Sequence, residues 1–141
     1  MTFTVVKVEP CLVGGLVVPG AEPGVFGESG DLTDFTLERL RLRKIRDLVA
    51  VFNCQPRVGW SAVFGYRLGN PDDLEVGDSM IRVDERYAAR FVPDGPSPDL
   101  YKDLWRQVEM AEKEGAITRA YTQEVAVIPE RGEPELYISV I

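Results

Sequence analysis

Glu124 is the residue whose chemistry most needs explaining. It opens Glu124-Val-Ala-Val-Ile128, the most apolar strand-like run in the C-terminal half. An ionised carboxylate buried alone costs several kcal/mol, so the group must pair, take up a proton or face a cavity. One reading places Glu124 at a strand edge, where it reaches solvent or pairs with an arginine. The other holds its charge inside a pocket lined by aromatic rings, ready to receive a cation. Each ring face adds about 0.5–2 kcal/mol to cation binding. The rings for such a wall are Trp60, Phe64 and Tyr66 in one alternating run, with Trp105, Tyr121 and Tyr137 further along.

What is missing narrows the chemistry further. The 141-residue chain contains no histidine, which removes Ser-His-Asp and Cys-His nucleophilic systems, imidazole proton shuttles and most zinc sites. Its two cysteines, Cys11 and Cys54, form no C-x-x-C pattern and read as buried free thiols. No metal and no cofactor is expected. A formal charge of −7 argues against direct nucleic-acid binding, which draws on a positive field. No apolar run approaches the roughly 18 residues of a membrane span, and the N-terminus has no signal-peptide pattern, so a cytoplasmic protein is expected.

The elements that must position these residues follow from pattern. Phe3–Val8 and Cys11–Val18 read as strands separated by Glu9-Pro10, with Gly14-Gly15 marking a bulge or a close packing contact. The Gly- and Pro-rich stretch from Pro19 to Gly30 reads as a loop, long enough for a lid. A first helix is expected from Asp31 to about Phe52, capped by Thr33 or Asp34, with Leu42, Ile45, Val49 and Phe52 as its buried stripe. Its basic run, Arg39, Arg41, Arg43, Lys44 and Arg46, reads as a solvated face or as a phosphate- or partner-binding patch.

From Gly59 to Arg67 the chain alternates, with Trp60, Ala62, Phe64 and Tyr66 on one face and Ser61, Val63, Gly65 and Arg67 on the other. Those aromatics either pack a sheet core or form a wall for a flat ligand. Ser79–Val83 and Tyr87–Val92 read as paired strands. A second helix follows with Ser97 as N-cap, Pro98 at N1, a stripe of Leu100, Leu104, Val108 and Ala111, and Gly115 as terminator. Tyr121–Ile128 and Glu135–Ile141 close the chain as strands. The fold class is therefore α+β, with strand–helix–strand–strand occurring twice, over about residues 1–83 and 84–141. Two halves related by an approximate twofold, sharing an antiparallel sheet, leave a groove between their helices, the kind of seam pockets favour.

Several segments resemble GyrI-like domains, the effector-binding domains of some AraC- and MerR-type multidrug-sensing regulators in the SOUL/GyrI superfamily. They are Tyr101-Lys-Asp-Leu-Trp105, Thr118-Arg-Ala-Tyr-Thr-Gln-Glu124 and Glu135-Leu-Tyr-Ile-Ser-Val140, with Val8-Glu-Pro-Cys-Leu-Val-Gly-Gly-Leu16 and Tyr87-Ala-Ala-Arg-Phe-Val-Pro-Asp-Gly95 resembling the leading strands of the two halves. The resemblance implies a single domain over residues 1–141 with a ligand pocket between the helices, an acidic residue matched by Glu124, a helix tryptophan matched by Trp105 and a terminal-strand tyrosine matched by Tyr137. Ala126 departs from the aromatic that often follows the glutamate, and Ser139 from a frequent proline. No DNA-binding domain is expected within this stretch.

Three functions follow as expectations. The first is a stand-alone binding protein for hydrophobic, cationic small molecules, with Glu124 supplying charge and Trp60, Phe64, Tyr66, Trp105, Tyr121 and Tyr137 supplying walls. The second is a metal-free hydrolase of strained electrophiles, resembling family members of that kind and using Glu124 with Tyr137. The third is an interaction protein resembling gyrase inhibitors. No membrane partner is expected, and exposed sheet edges leave a homodimer open.

Overall fold

The computed structural model describes residues 3–24 and 28–141, the side chains of 28–31 excepted. It is an α+β fold in which two helices cover one face of an eight-stranded sheet whose pairings are all antiparallel. In chain order the elements are β1 (Phe3–Val8), β2 (Cys11–Pro19), α1 (Glu28–Leu42), β3 (Leu48–Gln55), β4 (Gly59–Leu68), β5 (Ser79–Val83), β6 (Arg86–Phe91), α2 (Leu100–Lys113), β7 (Arg119–Ile128) and β8 (Glu135–Val140). Across the sheet the order is β1-β6-β8-β7-β3-β4-β2-β5. Among the described residues, no helix is long and apolar enough to cross a membrane.

That order forces the sheet to curl. β1 and β2 stand six strand positions apart yet are joined only by Glu9 and Pro10; Asp84 and Glu85 alone join β5 to β6 across the same interval. A flat sheet at ~4.8 Å per strand would separate them by ~29 Å. A two-residue link spans about 11 Å. The two edges must therefore approach each other at one corner. The inner face of the curl is packed by Val13, Val49, Val51, Val63, Val83 and Val125, a second core distinct from the one under the helices. Gly15 and Gly65 face each other across β2 and β4 where this curl is tight. A Cβ on Gly65 would lie 1.8 Å from the Gly14 carbonyl oxygen, and one on Gly15 would lie 2.1 Å from that of Phe64. Gly14-Gly15 is thus a close packing contact, one of the two readings its sequence allowed.

The first helix ends ten residues earlier than its pattern suggests. Leu48-Val-Ala-Val-Phe52 is not helical but forms β3, paired with both β7 and β4 at the centre of the sheet. Leu48, Ala50 and Phe52 enter the helix-side core while Val49 and Val51 enter the second core, so a continuous apolar run is what a strand covered on both faces requires. The helix stops in a Schellman turn: the Ile45 N–H donates to the Leu40 carbonyl and the Lys44 N–H to that of Arg41. Lys44 holds the left-handed conformation there, at φ 63°, a position usually given to glycine. Leu42, expected inside, is 74% exposed; α1 instead buries Thr36, Leu37 and Leu40. Helical structure already begins at Glu28, so Thr33 and Asp34 lie within the helix and do not cap it, and residues 25–27 of the expected loop lie outside the described residues.

Two further expectations change. β5 and β6 do not pair with each other; β5 pairs with β2, and β6 pairs with β1 and β8, because the curl places them at opposite ends of the strand order. The N-cap of α2 is Asp99, which accepts from the Lys102 N–H at 3.0 Å, while Ser97 accepts from the Asp99 N–H. Leu104, Trp105, Val108 and Ala111 form the buried stripe, and Gly115 closes the helix at φ 77°.

A Gly65→Ala variant is expected to lose about 3 kcal/mol of stability, since both neighbours that would have to move are backbone. Gly95→Ala, whose added methyl meets nothing within 4 Å, should be near neutral. Urea denaturation of the two variants checks the pair, and equal stability would refute the close approach.

Candidate functional site

Strand register brings the carboxylate and the rings together. Glu124 on β7 stands opposite Phe52 on β3 and Ile138 on β8, so its side chain points to the helix side of the sheet. It has no exposed surface. In a regular strand Arg119, five residues earlier, would point to the opposite face and lie ~17 Å away. The β7–β8 register instead shifts between Arg119 and Glu124, and Tyr121 takes a left-handed conformation at φ 54°. This bulge folds Arg119 back onto the carboxylate. Its Nε donates to one Glu124 oxygen at 3.0 Å and Nη2 to the other at 2.5 Å, a bidentate pair in which the arginine side chain is 10% exposed.

Arg119 stands between two acids. Its Nη1 lies 3.7 Å from Glu112 on α2, and its guanidinium sits 4.7 Å from the centre of the Tyr121 ring. The Tyr121 hydroxyl in turn donates to Glu112. Burial pushes the Glu124 carboxyl above its ordinary range, and the Arg119 bonds offset part of that rise. For Arg119, burial works against the charge but the carboxylate wins, and its pKa is raised.

Beside the pair runs a chain of rings. Phe64 meets Phe52 edge to face at 5.7 Å, Phe52 meets Trp105 at 5.8 Å and Trp105 meets Tyr101 at 6.2 Å, all within a few degrees of perpendicular. Trp60 packs partly buried against the same core. Gly24 covers the Trp105 ring so closely that a Cβ would touch it at 3.4 Å. Burial pushes the Tyr101 hydroxyl up to about 12, an effect the neighbouring indole only partly offsets. The Trp105 Nε1 is itself buried and falls short of hydrogen-bond geometry with any acceptor among the described residues.

Of the residues singled out by sequence, Glu124, Trp105, Trp60 and Phe64 therefore lie together on the helix side of the sheet. Tyr66 serves elsewhere: its hydroxyl donates to Asp78 at 2.6 Å, and Asp78 grips Arg43 beyond the end of α1. Tyr121 is half exposed under Arg119. Tyr137 pairs with Arg90 and Val125, packs against the inner-face core and donates to Glu135 at 2.8 Å. It lies on the opposite face of the sheet from Glu124, so the structure does not bring those two groups together. Sequence reasoning did not single out Arg119, Glu112, Phe52 or Tyr101 for the site. Only a basic residue just before the glutamate signalled Arg119, and no strand periodicity could pair residues five apart.

No protein-family model and no curated protein matches the chain. Solved structures do. An integron cassette protein from the mobile metagenome of Vibrio cholerae superposes with a TM-score of 0.77 at 17% identity, covering 99% of this chain and 95% of that one. SAV2435, solved bound to tetraphenylphosphonium, gives 0.68 at 11% identity over 100% and 94%. The C-terminal domain of EcmrR gives 0.55 at 8% over 99% and 97%. At these identities the likeness establishes the architecture, over essentially the whole chain.

Removing one partner of the buried pair is expected to be costly. Arg119→Met should destabilise the protein by about 3–5 kcal/mol at pH 7.5 by leaving Glu124 charged and unpaired. Burial then favours the protonated carboxyl in the folded state, so the native protein binds more protons than the unfolded chain above the ordinary carboxylate range, and stability falls as pH rises through that window. The deficit should accordingly shrink at pH 5, and Glu124→Gln added to Arg119→Met should recover part of it. Urea denaturation at both pH values tests this, with equal deficits counting against a buried charge.

Proposed function

We propose that this protein binds hydrophobic organic cations in the helix-side seam, as a small-molecule sensor of the effector-binding type. The observation that carries this reading is Glu124, a carboxylate with no exposed surface, set beside a chain of four rings and neutralised by an arginine that has a second acid within reach. A cation entering the seam takes the place of the guanidinium on Glu124, while Arg119 passes to Glu112, already 3.7 Å away and half-buried. The exchange leaves each of the two carboxylates with one cation, so the ligand's apolar surface and its contacts with ring faces add to charges already answered. SAV2435, which shares the fold, was solved with a lipophilic phosphonium bound, which supports the same class of ligand here.

The sheet order supports the two-halves reading as well. From the centre outward, β7-β8-β6 on one side mirrors β3-β4-β2 on the other, while β1 adds to the far half and β5 to its own. In this reading residues 1–83 and 84–141 are two related units of one domain, and α1 and α2 flank the ligand seam.

Titrating tetraphenylphosphonium while following tryptophan emission tests the proposal. The native protein should bind with quenching of Trp105, Glu124→Gln should weaken binding about tenfold or more, and triphenylphosphine oxide, similar in shape but neutral, should be indifferent to that substitution. Equal phosphonium affinity in the native and Glu124→Gln proteins would overturn the reading.

A further inference from the structure

The basic run at the end of α1 is not consumed by the seam. Of its five cations, Arg43 is held by Asp78 and Glu75, and Arg39 lies 6.0 Å above the Phe35 ring. The other three, Arg41, Lys44 and Arg46, line one cleft of about 450 Å³ between the helix end and the β7–β8 turn. Its floor is apolar: Ile45, Leu48, Ile128 and Pro129. Among the described residues Arg41 and Lys44 form no ion pair, and Arg46 reaches Glu130 only at 3.8 Å. Opposing acids are Glu130, on the wall, and Asp47, whose carboxylate accepts the Glu130 N–H at 3.3 Å. Three cations against these two acids leave the cleft net positive, in a chain whose total is −7.

Lys44 adds an independent observation. It occupies the left-handed position of the Schellman turn, where glycine would sit without the steric cost a side chain carries. Helix-end cations ordinarily answer the helix dipole, and Arg41 already does so in the last turn. The left-handed backbone there sets the Lys44 side chain in the lining of this cleft beside Arg41 and Arg46.

We infer that this cleft is a second ligand site, specific for a small phosphate monoester carrying an apolar or aromatic group. The guanidinium of Arg41 and the ammonium of Lys44 take the phosphate oxygens, Arg46 completes the charge, and the Ile45–Leu48–Ile128–Pro129 floor takes the apolar body. The site lies apart from Glu124 and has the opposite charge preference, so it stands whether or not the seam binds cations.

Calorimetric titration with phenyl phosphate, inorganic phosphate and phenol separates the contributions. Phenyl phosphate should bind at least fivefold more tightly than inorganic phosphate, phenol should not bind detectably, and affinity should fall as salt is raised. Lys44→Gly and Arg41→Gln should each weaken phenyl phosphate at least fivefold. Lys44→Gly should leave the melting temperature of the free protein unchanged or raised, because glycine relieves the left-handed strain. Lost binding without lost stability is an outcome that a purely structural lysine cannot produce. Equal affinity for phenyl and inorganic phosphate, unchanged affinity in Lys44→Gly, or a fall in its melting temperature would each overturn the assignment. Co-sedimentation with vesicles containing phosphatidic acid would assign the site to a lipid headgroup and overturn the free-ligand form.

Discussion

Everything on the helix side of the sheet depends on one buried charge being answered. Glu124 sits in the interior, across from Phe52, where an unpaired carboxylate would cost several kcal/mol. Arg119 answers it with two hydrogen bonds, and the irregularity in β7 exists in the right place to let it. A hydrophobic pair of similar volume would serve stability equally well or better. Retaining an ion pair in this position makes more sense for a site that must exchange one cation for another than for a core that must only be filled.

The curl of the sheet is the second constraint. It closes the short links from β1 to β2 and from β5 to β6, and it creates an inner face lined with valines, whose compact side chains suit a crowded concave surface. The glycines at 14, 15 and 65 permit the closest strand approach. On the outer face the same curvature leaves room for both helices over the central strands, where Phe52, Phe64 and Trp105 interlock. The two faces thus differ in kind: valines inside, aromatic rings and the charge pair outside.

How far the sequence foretold this can be read residue by residue. The alternation of Gly59–Arg67 placed Trp60 and Phe64 on one face correctly, since strand parity is a local property. The second helix was equally legible, because Leu104, Val108 and Ala111 repeat on one stripe and Gly115 ends it. β3 was not, because Leu48–Phe52 is apolar on both faces and carries no period that separates strand from helix. The helix end was hidden by the same token: a lysine in the left-handed position gives none of the warning a glycine would. Tyr137 illustrates a different limit. Parity fixes that it opposes Ile138, but only knowing that Ile138 faces Glu124 reveals which face Tyr137 loses. The Arg119–Glu124 pair needed a bulge, and a bulge has no composition of its own.

The position of Arg119 between two carboxylates bears on how such a seam can be both stable and receptive. Were Glu124 its sole acidic neighbour, displacing it would push a guanidinium into an apolar core or out through the protein at full desolvation cost. Glu112 removes that difficulty. It is half-buried, already accepts the Tyr121 hydroxyl, and lies within one small side-chain movement of the guanidinium, which the Tyr121 ring supports from below. The buried charge is therefore kept neutralised, and in the proposed exchange a ligand would have to outcompete only the difference between Arg119 on Glu124 and Arg119 on Glu112. That difference is set by the deeper burial of Glu124, which raises its pKa and weakens its hold on any charge it must carry unaided. Phe52 and Trp105 are already buried, so in the proposed exchange a ligand cation gains by withdrawing its own apolar surface from water and by meeting ring faces beside Glu124.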